Sequence, residues 1–122
     1  MKKYYHSSES TKAPLSGAVE VGGLVFISGQ IHMDKGVLVG ENIQEKFIQV
    51  MKNVEDILVE ASLTKEDIVR VHLYLTDLSE LKELNEVYMK TFEHPLPVRT
   101  TVGVVSLPLG ASLEMDVIAV RS

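Results

Sequence analysis

The sequence has no cysteine, which excludes disulfides, thiol nucleophiles and thiolate metal sites together and leaves the redox compartment open. No stretch approaches the roughly 18 uninterrupted apolar residues of a membrane span. The charged, serine-rich start, Met1-Lys2-Lys3-Tyr4-Tyr5-His6-Ser7-Ser8, lacks the apolar core of a signal peptide. A cytoplasmic protein without membrane association is therefore expected. An excess of positive charge is missing too. The net charge is −5 and the pI near 5.3, whereas general affinity for nucleic acid comes from Lys and Arg neutralising phosphates. The four Lys and Arg residues within the first 35 are scattered, so nucleic acid is not an expected partner.

Chemical signatures are equally sparse. There is no glycine-rich phosphate loop, no nucleophile-elbow serine, no internal repeat and no low-complexity tract. His6, His32, His72 and His94 lie far apart without ligand spacing, so no metal site is expected and each reads as a surface or sheet-face residue.

What is present is an ordinary globular composition, 45% hydrophobic and 24% charged, in 122 residues, enough for one domain over 1–122. Residues 2–6 read as a first strand and 7–10 as a polar loop. Two β-prone runs, 18–21 and 24–28, flank Gly22-Gly23 and predict a hairpin. The second run ends in Ser28-Gly29-Gln30, where Gly29 is either a bulge or a place where another group approaches the backbone. A turn at Asp34-Lys35-Gly36 follows.

Residues 43–62 carry Ile43, Phe47, Val50, Met51, Val54, Ile57, Leu58 and Ala61 along one helical stripe, with Asn42 and Glu45 as a capping pair. A capped turn at 64–67 leads to a strand over 68–75, with Val69, Val71, Leu73 and Leu75 alternating against Arg70, His72 and Tyr74. A second helix over 79–92 has Leu81, Leu84, Tyr88 and Phe92 on one side, Asp77 or Ser79 as cap, and Pro95 and Pro97 as its stop.

Two further strands close the chain. In 98–104, Val98, Thr100, Val102 and Val104 alternate with Arg99, Thr101 and Gly103. In 112–120, Leu113, Met115, Val117 and Ala119 alternate with Glu114, Asp116, Ile118 and Val120. The order predicts an α+β domain with two helices on one face of a mixed sheet. The uncovered face is expected to carry Arg70, His72, Tyr74, Arg99 and Glu114 beside Ile118 and Val120, a mixture that suits contact between identical subunits. Arg99 has two readings, a wet sheet face or a site for a small carboxylate, whose two oxygens match the guanidinium fork. If 98–105 and 112–120 form a hairpin, Glu114 falls near Gly103, roughly 13 Å along the strand from Arg99. The long Arg99 side chain would have to span part of that gap, or the register would have to differ, or a neighbouring subunit would supply part of the site.

Several of these stretches together resemble the Rid family, the reactive intermediate deaminases, also called the YjgF or L-PSP group. The carriers are residues 22–31, 71–77, Asn85-Glu86-Val87-Tyr88, Pro97-Val98-Arg99-Thr100, Leu107-Pro108 and 113–120, in register across 13–121. The resemblance implies a chorismate-mutase-like fold, a homotrimer with sites between subunits, and hydrolysis of enamines and imines such as 2-aminoacrylate to 2-keto acids and ammonia without metal or cofactor. It places the carboxylate-binding arginine at Arg99, the water-orienting acid at Glu114 and the backbone-donating glycine at Gly29, with Ser28, Thr101 and Asn85 also at substrate-binding positions. The chain departs from the pattern at Leu15, where an aromatic residue is usual, at Thr101 in place of Cys or Ser, and at Leu109 in place of Lys. Two other readings stay open, a 2-keto-acid-binding regulatory module and the endoribonuclease or translation-inhibitor label attached to the family.

Overall fold

The computed structural model describes residues 1–6 and 13–122, so the expected loop at 7–10 lies outside the described residues. Strand β1 (Lys3–Tyr5) leads to β2 (Ala18–Val21) and β3 (Leu24–Ile31), which meet at Gly22-Gly23. Both glycines have positive φ, 60° and 81°, which a two-residue hairpin needs and only glycine takes freely. A small ribbon of β4 (Met33–Asp34) and β5 (Val37–Leu38) turns at Lys35-Gly36. Helix α1 (Ile43–Glu60), strand β6 (Ile68–Leu75), helix α2 (Leu81–Thr91), strand β7 (Val98–Gly103) and strand β8 (Leu113–Val120) complete the order. The main sheet runs β1-β2-β3-β8-β6-β7, antiparallel except for the β6–β7 pair.

Helix α1 begins where the Asn42 side chain accepts the Glu45 N–H at 2.9 Å, and the Glu45 carboxylate accepts the Glu41 N–H at 2.9 Å. Its stripe of Phe47, Val50, Val54, Ile57 and Leu58 is fully buried against the sheet and α2, each such side chain contributing about 1.5–3 kcal/mol. Helix α2 follows a 3-10 turn at Leu78–Glu80, capped where Asp77 accepts the Ser79 N–H at 3.0 Å. Phe47, Tyr88 and Phe92 form a tilted aromatic row between the helices, with centroids 5.9 Å and 4.7 Å apart. Both helices cover the same face, as the element order predicted.

Four expectations are corrected. Residues 98–105 and 112–120 do not form a hairpin, because β6 lies between β7 and β8 and pairs with both. The connection between them instead crosses the end of β6, a choice that alternation within each strand does not encode. Second, a register shift between Ile68 and Arg70 turns Ile68 inward and leaves Val69 41% exposed, so the inner face of β6 is Ile68, Val71, Leu73 and Leu75. Third, Arg99 is not on the uncovered face. It aligns with Val71, which is fully buried under the helices, and so points to the helix side. Val98, Thr100 and Val102 take the open side with Arg70, His72, Tyr74, Glu114, Asp116 and Ile118.

The fourth correction concerns His32, which is buried rather than on a surface. Its Nδ1–H donates to the Val39 carbonyl at 2.9 Å and its Nε2 accepts the Ser112 N–H at 3.1 Å, joining the end of β3 to the start of β8. Burial pulls its pKa below the usual histidine value, with the Val39 hydrogen bond opposing.

Candidate active site

Arg99 is held by neutral groups. Its Nε donates to Thr101 Oγ1 at 2.8 Å and its Nη2 to Asn85 Oδ1 at 2.8 Å, while Cζ stands 4.7 Å from the centroid of the Tyr88 ring. β7 is an edge strand, and Arg99 is left half-buried there. Stacking on an aromatic face supports a cation without neutralising it. Among the described residues no carboxylate pairs with Arg99, and three of the fork's five N–H donors have no acceptor there. Asn85 thus acts through Arg99. Tyr88 was legible only as a core residue. Its spacing three after Asn85 on the same helix face was the signal that both could serve one guanidinium. Burial pushes the Tyr88 hydroxyl pKa up, with Arg99 opposing, and the hydroxyl has no hydrogen-bond partner among the described residues.

Glu114 belongs to a different neighbourhood. β3 shifts register against β8 between Ile27 and Gln30, and Gly29 sits in that bulge. The Glu114 carboxyl group packs directly onto Gly29, so a Cβ there would fall on Oε2, 2.9 Å from Cδ and 3.2 Å from Cγ. The two sequence readings of Gly29, bulge and close approach, are the same fact. Burial raises the Glu114 pKa above the ordinary carboxylate value, and the nearby Asp116 raises it further. Asp116 itself accepts from Tyr74 Oη at 2.7 Å and meets His72 Nδ1 at 2.8 Å, while Arg70 Nη1 approaches His72 Nε2 at 3.4 Å. The Asp116 hydrogen bond, then burial, pushes the Tyr74 hydroxyl up to about 12.

The remaining sequence candidates divide between these places. Ser28 donates its hydroxyl to the Ser16 carbonyl at 2.7 Å and its N–H to Gly17 O at 2.9 Å, holding the 13–17 segment against β3. That segment carries Leu15, half-exposed, which lines a cavity together with Gly29. Thr101 and Asn85 belong with Arg99. Within one chain the two halves do not meet. Arg99 and Glu114 lie on opposite faces of the sheet, two strand spacings or about 10 Å apart across β6, and a further three residues or about 10 Å apart along it, since Arg99 aligns with Val71 and Glu114 with Tyr74.

A sheet with two helices on one face is a fold this chain shares with known proteins. The family profile described as Endoribonuclease L-PSP matches residues 6–121. A RutC family protein of Aquifex aeolicus is 49% identical over 112 residues, covering 88% of this chain and 89% of its own. The chloroplastic Reactive Intermediate Deaminase A of Arabidopsis thaliana is 36% identical over 124 residues, 98% of this chain and 66% of its own. Among solved structures, YyfA of Yersinia pestis, described as a protein of unknown function of the conserved Rid family, superposes with a TM-score of 0.93 at 32% identity, covering 99% of this chain and all of its own. The chain belongs to the Rid (YjgF, L-PSP) family, and its fold is the family's α+β fold.

Proposed function

We propose that this protein hydrolyses enamine and imine intermediates such as 2-aminoacrylate to 2-keto acids and ammonia. The observation that carries this reading is the Arg99 guanidinium, oriented by Thr101, Asn85 and Tyr88 and paired with no carboxylate among the described residues. Building such a cation into a half-buried position is costly unless an anion arrives to complete it. The name of the Arabidopsis relative agrees.

The separation of Arg99 from Glu114 supports a second part of the proposal, a homotrimer in which the Arg99 half of one copy meets the Glu114 half of another. The open sheet face offers Leu24, Phe26, Val98 and Val102, each more than a third exposed, around the Arg70–His72–Asp116–Tyr74 network. In the completed site Arg99 grips the substrate carboxylate through two charge-assisted hydrogen bonds, and backbone N–H groups near Gly29 and Thr101 steady it. Glu114 holds a water and takes its proton as oxygen adds to the imine carbon. It returns that proton to nitrogen to give a carbinolamine, then takes the carbinolamine's hydroxyl proton and passes it to the amine as the C–N bond breaks, which releases ammonia and leaves the carbonyl of the keto acid. The raised Glu114 pKa suits a group that both takes and gives a proton. No nucleophilic side chain is required. The endoribonuclease in the family's description fits a chain of net charge −5 less well, since phosphate binding needs cations.

The test couples a pyridoxal-phosphate serine or threonine dehydratase to the protein and follows keto-acid formation, with sedimentation of the same samples. Acceleration by the parent, its loss in Arg99→Ala and a mass near three times the 13.5 kDa chain are expected. No acceleration with any amino-acid imine, while a 2-keto acid still raises Tm, would select a binding module instead.

A further inference from the structure

A cavity of about 150 Å³ opens beside Gly29, and its walls are hydrocarbon: Leu15, Ile31, Met33 and Leu109. Its polar neighbours are already engaged with the protein. Asn53 gives its amide hydrogens to the Ile31 and Met33 carbonyls at 3.0 Å and 2.9 Å and accepts from Gln49 at 3.0 Å. Gln30, also on the wall, donates to the Ser28 carbonyl at 3.0 Å. Leu109 adds a second observation. It sits at φ 58°, in the left-handed region that a leucine side chain disfavours, yet remains 74% exposed, so no burial offsets that strain. An apolar occupant would supply the missing contact.

We propose that this cavity receives the aliphatic side chain of the substrate, so that the protein favours imines and 2-keto acids with chains of about three or four carbons, such as those of leucine and methionine, over those of alanine. The assignment rests on the deaminase reading, because Gly29 is common to the cavity wall and to the Glu114 carboxylate contact. A substrate whose imine carbon faces Glu114 therefore lies within one residue, Gly29, of the cavity. A cavity of about 150 Å³ with such walls is large enough for a six-carbon ring, so a branched four-carbon chain fits with room to spare. Leu15 and Leu109, 94 positions apart in the sequence and brought to one wall by the fold, are the specificity-determining residues.

The experiment generates imines from alanine, methionine and leucine with an amino-acid oxidase and compares kcat/KM for the parent, Leu15→Ala and Leu109→Gly. The glycine variant relieves the left-handed strain, so it folds. For the parent, the leucine-to-alanine ratio is expected at about tenfold or more, and each variant should lower that ratio severalfold. Binding of the corresponding 2-keto acids is measured in parallel by calorimetry. Equal kcat/KM for all imines overturns the cavity assignment and leaves the deaminase reading intact. No hydrolysis of any imine, with the leucine keto acid bound about tenfold more tightly than pyruvate, overturns the deaminase reading and upholds the cavity. A flat affinity series alongside no hydrolysis overturns both. A changed sedimentation mass in Leu109→Gly with an unchanged ratio overturns the assignment too, since the cavity would then hold protein.

Discussion

Replacing Gly29 with alanine separates the two things the Glu114 contact does. The new Cβ would lie on Glu114 Oε2, 2.9 Å from Cδ and 3.2 Å from Cγ, where ordinary contact begins at 3.4 Å. The obstacle is the end of a flexible side chain rather than backbone, so the carboxyl group yields by about 1 Å and the sheet does not. Overpacking of a rigid site costs about 1–3 kcal/mol; here the loss should stay below about 1 kcal/mol, a fall in Tm of about 4 °C or less. Activity is more sensitive. A group displaced by about 1 Å loses roughly a hundredfold, within the 10²–10⁴ that a positioned acid or base contributes. The assay is kcat/KM for imine hydrolysis in parent, Gly29→Ala, Glu114→Ala and the double variant. In the Glu114→Ala background the obstacle is gone, and Gly29→Ala should cost almost nothing further. A loss of equal size in both backgrounds would refute the reasoning, because it would mean that Gly29 matters through its backbone alone. Full activity in Gly29→Ala would refute it as well.

Other predictions follow from the same contacts. Asn85→Ala should lower kcat/KM about tenfold by releasing Arg99, and Asn85→Asp should do worse, because its carboxylate neutralises the guanidinium; a KM series with 2-keto acids as inhibitors checks the order. With the Glu114 pKa raised and its ionised form holding the water, kcat/KM should fall as pH drops through a point above the usual 4.5. Asp116→Asn should shift that limb to lower pH without returning it fully, since burial is the larger cause, and an unmoved limb in a pH-rate profile would contradict the assignment. Burial lowers the His32 pKa in the fold, so the unfolded chain takes up its proton more readily and stability should decline as pH falls through about 6.5. Urea unfolding at pH 7 and 5 should show this slope in the parent and lose it in His32→Asn.

Several elements were legible because their signals are local. The Gly22-Gly23 hairpin, the Asn42 cap, the α1 stripe and the stop before Pro97 depend on φ preferences, capping and a 3.6-residue period that act within a few residues. Arg99, Glu114 and Gly29 could be nominated from their residue types and motifs. Their partners could not, because hydrogen bonds such as Arg99 to Asn85 or Ser112 to His32 join positions 14 and 80 residues apart. A histidine alone on a polar-looking stretch carries no mark of burial. The Ile68–Arg70 register shift, which exposes Val69, answers to its neighbour β8 and not to its own alternation.

The sequence by itself determined the helices and most strand boundaries, since each rests on short-range pattern, and it nominated the candidate arginine and acid through side-chain chemistry together with resemblance to the Rid family. Only the tertiary structure decided which strands neighbour one another. By inserting β6 between β7 and β8 it put Arg99 under α2 and Glu114 on the open face, because strand alternation defines two faces but only packing against a helix says which one is inside.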